Sequence, residues 1–317
     1  MKRFNGLHTG LNQAVVIWQV LKRYNLVRNV CYFTTDNATN NDAALRELAT
    51  YFEAEDIVFD SISARIRCFG HIINLAVKGF LWGTDSEAFE KGIEVENDDA
   101  EDQLGKNLLH WRKRGALNRL HNICTWILRS RQRQDRFGEK AQQLLPEATV
   151  FLPLVGNVTR WHGDVDALER VFLLREPLQG FMFTAIREEQ QKKSKRGRSK
   201  AQDAIDENDP EMVTNDELTL DNWDDLTIVY EVLEPLKYWT LRLEGNTTAK
   251  NRPNGFIADI LPAMDELLHY LEEAKLRYQD GETYSTHILT SINNAWSILN
   301  KYYTLTDLAP AMLAAVA

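Results

Sequence analysis

Asp36, Cys68 and His71 are the residues in the first quarter of the chain whose types and spacing suit chemistry. Asp36 follows the β-branched and aromatic run Val30-Cys31-Tyr32-Phe33-Thr34-Thr35 and precedes the turn and capping residues Asn37 to Asn41. The pattern predicts a buried strand ending on a carboxylate, followed by a helix capped by Asn40 or Asn41 with Leu45, Leu48 and Phe52 on its apolar face. Strand ends beside helix N-termini are where α/β folds place ligand and metal chemistry. The same residues also fit an aspartate that only closes its own turn. Cys68-x-x-His71 has a zinc-like spacing, and His121-x-x-Cys124 is a second such pair. No finger-like arrangement joins them, so a packed thiol and a hydrogen-bonded imidazole are expected, and no zinc.

A second group is cationic. Between residues 106 and 136, Lys106, Arg112, Lys113, Arg114, Arg119, Arg129, Arg131, Arg133 and Arg136 face a single acid, Asp135. Leu117, Leu120, Ile123 and Ile127 recur among them at helical intervals. Such an arm suits a phosphate backbone, because Lys and Arg displace condensed counterions. It equally suits a solvated helix face paired with acids elsewhere.

Several elements must position these groups. Thr9 is placed to cap a first helix with Val15, Val16, Trp18, Leu21 and Tyr24 on its apolar side. A short second strand around Ile66, Cys68 and Phe69 leads to a helix bearing Ile72, Ile73, Leu75, Ala76, Phe80 and Leu81. A strand–helix–strand step of this length favours parallel pairing, which brings Cys68 and His71 near Asp36. Residues 85–102 carry nine acids against Lys91 alone and read as an acidic linker. Lys192 to Lys200 form a basic block that looks like a nuclear localisation signal, and Asp203 to Asp225 follow with ten acids and no base. From Leu226 onward the pattern is helical, with faces such as Ile260, Met264, Leu267 and Leu271. These faces also suit partner helices or oligomers. The expected division is 1–84, a linker at 85–105, a helical segment at 106–190, a charged loop at 191–225 and a helical bundle at 226–317.

The totals fit that organisation. The 317 residues are 44% hydrophobic and 26% charged, with a net charge of −9 that averages over strongly segregated segments. No run of eighteen apolar residues supports a membrane span, and no apolar stretch follows the basic start as secretion requires. Three scattered cysteines give no disulfide framework and favour a reducing compartment. Phosphate-binding loops, dinucleotide glycine turns and nucleophile elbows have no counterpart here.

Taken in order, His8-Thr9-Gly10, Thr35-Asp36-Asn37-Ala38-Thr39-Asn40-Asn41, Arg67-Cys68-Phe69-Gly70-His71-Ile72-Ile73-Asn74-Leu75, Thr159-Arg160-Trp161-His162 and Asn294-Ala295-Trp296 to Lys301-Tyr302-Tyr303 resemble the hAT (hobo–Activator) transposases in their fungal form. The resemblance implies a mainly α chain with a small α/β part, an RNase H-like core interrupted by a long all-helical insertion. It implies Asp36 as the second member of an Asp, Asp, Glu set that holds Mg²⁺ or Mn²⁺ and cuts DNA at transposon ends. Cys68 and His71 match the family's Cys-x-x-His motif near that site. Arg160 and Trp161 match a segment that handles DNA in the insertion.

The departures are specific. No acid precedes Asp36, the glutamate motif expected near the C-terminus is missing, and Thr-Arg-Trp is followed by His162-Gly163. By the resemblance the chain is truncated at both ends. One carboxylate does not hold two metals, so the expectation is a transposase fragment without strand cleavage. The alternatives are a nuclear DNA-associated regulatory protein using the basic arm, with Arg112, Lys113, Arg114, Arg129, Arg131 and Arg133 as contacts, and a helical scaffold that binds protein partners.

Overall fold

The computed structural model describes residues 9–82, 115–147, 152–155, 163–196, 216–243, 257–280 and 286–316. The chain is mainly helical with a small α/β part. It divides into two compact units, residues 1–99 with 238–317, and residues 100–237. The boundary at 237–238 falls inside the helical bundle expected at 226–317, so most of that bundle groups with the N-terminal residues. The reason is packing: the helix Thr286–Thr304 lies along the helix Phe69–Trp82 of the first unit.

In the first unit, helix α1 (Gly10–Arg23) starts where Thr9 Oγ1 accepts the Asn12 N–H at 3.3 Å. Its buried face is Gly10, Ala14 and Leu21, backed by Ile17 and Trp18. Val15, Val16 and Tyr24, expected on the apolar side, are exposed. Small residues win the inner positions because helix α2 (Thr39–Glu53) approaches closely there. A Cβ on Gly10 would stand 2.5 Å from the Asn40 carbonyl oxygen and 2.6 Å from Ala43 Cβ. Leu45, Leu48 and Phe52 of α2 are buried as the spacing predicts. Phe52 stacks on Phe59, which meets Phe33 edge-on.

Strands β1 (Phe33–Thr35) and β2 (Arg65–Arg67) pair in parallel, with Phe33 opposite Arg65 and Thr35 opposite Arg67. Alternation along the strands puts Phe33, Thr35, Arg65 and Arg67 on the face toward α1 and α2. Ile66 faces the other way and packs with Ala309 and Met312. Cys68 and Phe69, expected in the second strand, instead lead into helix α3 (Phe69–Trp82). Its residues Ile72, Ile73, Leu75, Ala76, Phe80 and Leu81 are all buried.

The second unit contains helices α4 (Ala116–Leu128), α5 (Arg131–Leu144), α6 (Gly163–Leu173), α7 (Arg175–Arg196) and most of α8 (Leu220–Leu243). Phe137 meets Phe181 edge-on at 5.4 Å, and Phe172 lies 5.6 Å from Tyr230. Both edges of the charged loop expected at 191–225 are helical, since α7 runs to Arg196 and α8 opens at Leu220, and residues 197–215 between them lie outside the described residues. A cap explains the second boundary: Thr219 Oγ1 accepts the Asn222 N–H, and Asn222 Oδ1 accepts the Thr219 N–H. The acidic linker at 85–105 lies outside the described residues.

The first unit is completed by α9 (Ile260–Arg277), α10 (Thr286–Thr304) and the short α11 (Pro310–Val316). Ile292, Ala295, Ile298 and Leu299 give α10 its buried stripe.

Candidate functional site

Parallel pairing places the C-terminal ends of β1 and β2 side by side, and Cys68 N–H donates to the Thr35 carbonyl at 2.7 Å. Asp36 and Cys68 therefore share one sheet end, as the strand–helix–strand spacing predicts. Asp36 is exposed, and β1 before it is only partly buried, whereas the pattern predicts a buried strand. Its Oδ1 accepts the Ala38 N–H at 3.1 Å and the Asn41 side-chain amide. This is the turn-closing arrangement, and it moves the start of α2 to Thr39, with Ala38 in the capping position. Asn41, one of the two expected caps, instead turns its side chain back to Asp36.

The strand end is crowded with guanidinium groups. Arg65 is 5% exposed, donates from Nη2 to the Asp36 carbonyl at 3.1 Å, and forms an ion pair through Nη1 with Asp42. Arg67 lies 3.8 Å from the same carboxylate, donates to Asn37 Oδ1 at 3.4 Å, and stands over the Tyr302 ring at 5.9 Å. Burial, with repulsion from Arg67 second, pulls Arg65 down to about 10 against the pull of Asp36. Arg67 is lowered by burial as well. Asp42 in the first turn of α2 also suits the positive end of that helix.

A divalent metal needs several acceptor oxygens with little competing positive charge. Here both carboxylates are engaged and two guanidinium groups stand among them. Among the described residues, no group of three or more His, Cys, Asp or Glu side chains is placed to hold a metal ion. These residues do not fit the Mg²⁺ or Mn²⁺ set that the resemblance implies for Asp36. Cys68 is a half-buried free thiol, and His71, in the first turn of α3, is also half-buried. His71 has an interaction of its own.

In the second unit the described part of the basic arm is two helices meeting at Ser130, where α5 begins with extended backbone at the cap. Arg129, Arg131 and Arg133 sit at this corner. Arg129 is exposed and makes no ion pair among the described residues. The Arg131 side chain is 84% exposed and pairs with Asp135 at 3.1 Å. Arg133 is half-buried over the Trp126 ring at 4.5 Å. Burial lowers its pKa first, and the neighbouring Arg129 charge lowers it further. Two other arm residues are structural: Arg119 donates to the Glu217 carbonyl at 2.9 Å, and Arg136 pairs with Glu188 at 2.7 Å. Arg112, Lys113, Arg114, Arg160 and Trp161 lie outside the described residues.

Arg65, Arg67 and Asp42 were not singled out by sequence reasoning, although Arg-Ile-Arg in a short strand signals two cations on one face. Lys237 was also missed. It is half-buried between Asp166 at 2.7 Å and Glu169 at 2.6 Å, and Tyr230 donates to Glu169. Pairing across helices α6 and α8 leaves no local spacing signal.

No family model matches the chain, and no solved structure does. The chain is similar to a protein of Talaromyces stipitatus named "Putative transcriptional regulator tpeD", with 24% identity over 169 residues. The matched segment is 52% of this chain and 19% of that protein. No helix among the described residues is long and apolar enough to cross a membrane.

Proposed function

We propose that this chain is a nuclear, DNA-associated regulatory protein on a hAT-transposase-like core, and that it does not cut DNA. The carrying observation is the corner between α4 and α5. There Arg129 is exposed, Arg133 lies over the Trp126 ring at 4.5 Å, and the Arg129 charge adds to burial in lowering the Arg133 pKa. Like charges held together by a scaffold are stabilised by an incoming phosphate, and Arg gives it paired donors. The similarity to a fungal protein named as a transcriptional regulator supports the regulatory part.

The core reading, an RNase H-like fold reduced to part of its sheet, is supported by the five motifs in family order and by a parallel strand pair that ends at Asp36. In this reading Asp36 is a turn residue. Its carboxylate organises the start of α2, and Arg65 and Arg67 hold positive charge where a cleaving enzyme needs acceptors for metal. The basic block at Lys192–Lys200 supports nuclear import.

Two assays on the full chain test this. A duplex shift assay is expected to show binding that weakens with salt and is lost in the triple variant Arg129→Gln, Arg131→Gln, Arg133→Gln. A nicking assay with Mn²⁺ is expected to leave plasmid DNA intact. Robust cutting would sink the non-cleaving half of the proposal, and binding insensitive to salt would sink the other.

A further inference from the structure

The sheet end in the first unit leaves hydrogen-bond donors without acceptors. Asn37 turns Oδ1 toward Arg67, so its Nδ2 carries two N–H bonds, and that atom is buried with no partner. Arg65, only 5% exposed, uses Nη2 on the Asp36 carbonyl and Nη1 on Asp42, while its Nε has no partner. The Thr35 hydroxyl beside them is also buried and unpaired. Arg67 reaches its neighbours only at long range, 3.4 Å to Asn37 and 3.8 Å to Asp42, with its side chain 25% exposed. The N-terminus of the fifteen-residue α2 opens at the same place, and Ala38 offers no side-chain cap. The nearby carboxylates are both committed, Asp36 to the Ala38 N–H and the Asn41 amide, and Asp42 to Arg65.

The sense of these orphans matters. The unpaired nitrogens are all donors, and buried polar groups left unpaired are costly. A cation satisfies orphaned acceptors. Orphaned donors beside two guanidinium groups and a helix N-terminus suit an occupant rich in acceptors and negatively charged. We propose that the C-terminal end of the β1–β2 pair is a phosphate-oxyanion site, formed by Arg67, Asn37 and the first turn of α2 and backed by the buried Arg65. It occupies the place where the resemblance implies a metal, with the opposite electrostatic sense. It is independent of DNA binding at the α4–α5 corner. The phosphate is supplied by free inorganic phosphate or by a nucleic-acid backbone.

The test is a titration of the full chain in phosphate-free, low-salt buffer, following the Asn37 side-chain amide and the Arg67 Nε–H by NMR. The probes are inorganic phosphate, a short DNA duplex and MnCl₂. The duplex arm uses the Arg129→Gln, Arg131→Gln, Arg133→Gln background, so contact with the second unit does not contribute. Saturable shifts with inorganic phosphate alone assign a free-anion site, and saturation with the duplex as well assigns a backbone site; both support the proposal. Arg67→Met is expected to weaken phosphate binding about tenfold or more, as loss of a charge-assisted donor does. Asn37→Ala is a second variant with less demand on folding, and circular dichroism checks both. No saturable shift with either phosphate probe overturns the proposal, as does affinity unchanged in both variants. Saturable Mn²⁺ broadening at Asp36 also overturns it.

Discussion

Asp42 shows how one carboxylate can fix a local fold. It holds Arg65 in a nearly closed interior and meets the positive end of α2 at the same time. Breaking a buried pair by removing one partner strands the other charge, which is worse than replacing both. Asp42→Ala is therefore expected to cost about 2–4 kcal/mol, somewhat below the roughly 3–5 kcal/mol of a fully buried pair because Asp42 is partly exposed. The double replacement Asp42→Leu, Arg65→Met is expected to recover much of that loss in urea unfolding. Recovery no better than the sum of the two single effects would contradict the pairing account. Gly10 makes the complementary point about space. Gly10→Ala is expected to destabilise by about 1–3 kcal/mol, as overpacking does, because the new methyl meets backbone of α2 and not a flexible side chain. The urea midpoint should fall with little change in slope. His8-Thr9-Gly10 thus has a packing meaning at two of its positions, Thr9 as cap and Gly10 as the point of close approach.

At the scale of elements, helices with a single apolar stripe were legible, and the reasons are plain in α2, α3 and α9, where the spaced apolar residues are the buried ones. The parallel pairing of β1 and β2 was legible too, because the intervening helix leaves no short hairpin route. The inner face of α1 was not, since Gly10 and Ala14 were chosen by proximity to α2 and larger apolar residues stay outside. The break at Ser130 was also missed, as uniform basic character hid a helix boundary. Partners distant in sequence left no periodic trace, and Lys237 is the example. Burial disfavours its charge, but hydrogen bonds and charges from Asp166 and Glu169 outweigh this and raise its pKa above the ordinary 10.5. A raised lysine contributes stability that is complete below its unfolded value and is lost as pH rises through its folded value. The Lys237 contribution to the stability of the second unit should therefore be steady through neutral pH and decline above about 10.5. Lys237→Met should remove that alkaline loss in melts followed against pH. An alkaline profile identical in the variant would assign the loss to other groups.

At the scale of the molecule, the chain builds its first unit from both ends and its second from the middle. Cationic groups collect in two places, the β1–β2 end in the first unit and the α4–α5 corner in the second. Among the described residues, neither place holds three or more His, Cys, Asp or Glu side chains that could bind a metal ion. Phosphate binding at these places, as proposed, is compatible with an overall charge of −9, because salt screens the distant acids more than the contacts at short range. The proposed DNA binding rests on phosphate contacts at the α4–α5 corner. The direct measurement is the salt dependence of duplex affinity for the full chain and for the variant Arg129→Gln, Arg131→Gln, Arg133→Gln, between about 50 and about 200 mM salt. Each phosphate contact contributes about 0.9 to the slope of log affinity against log salt, so the triple variant should flatten that slope by roughly two to three. Equal slopes for the two proteins, or a wild-type affinity that ignores salt, would contradict the account.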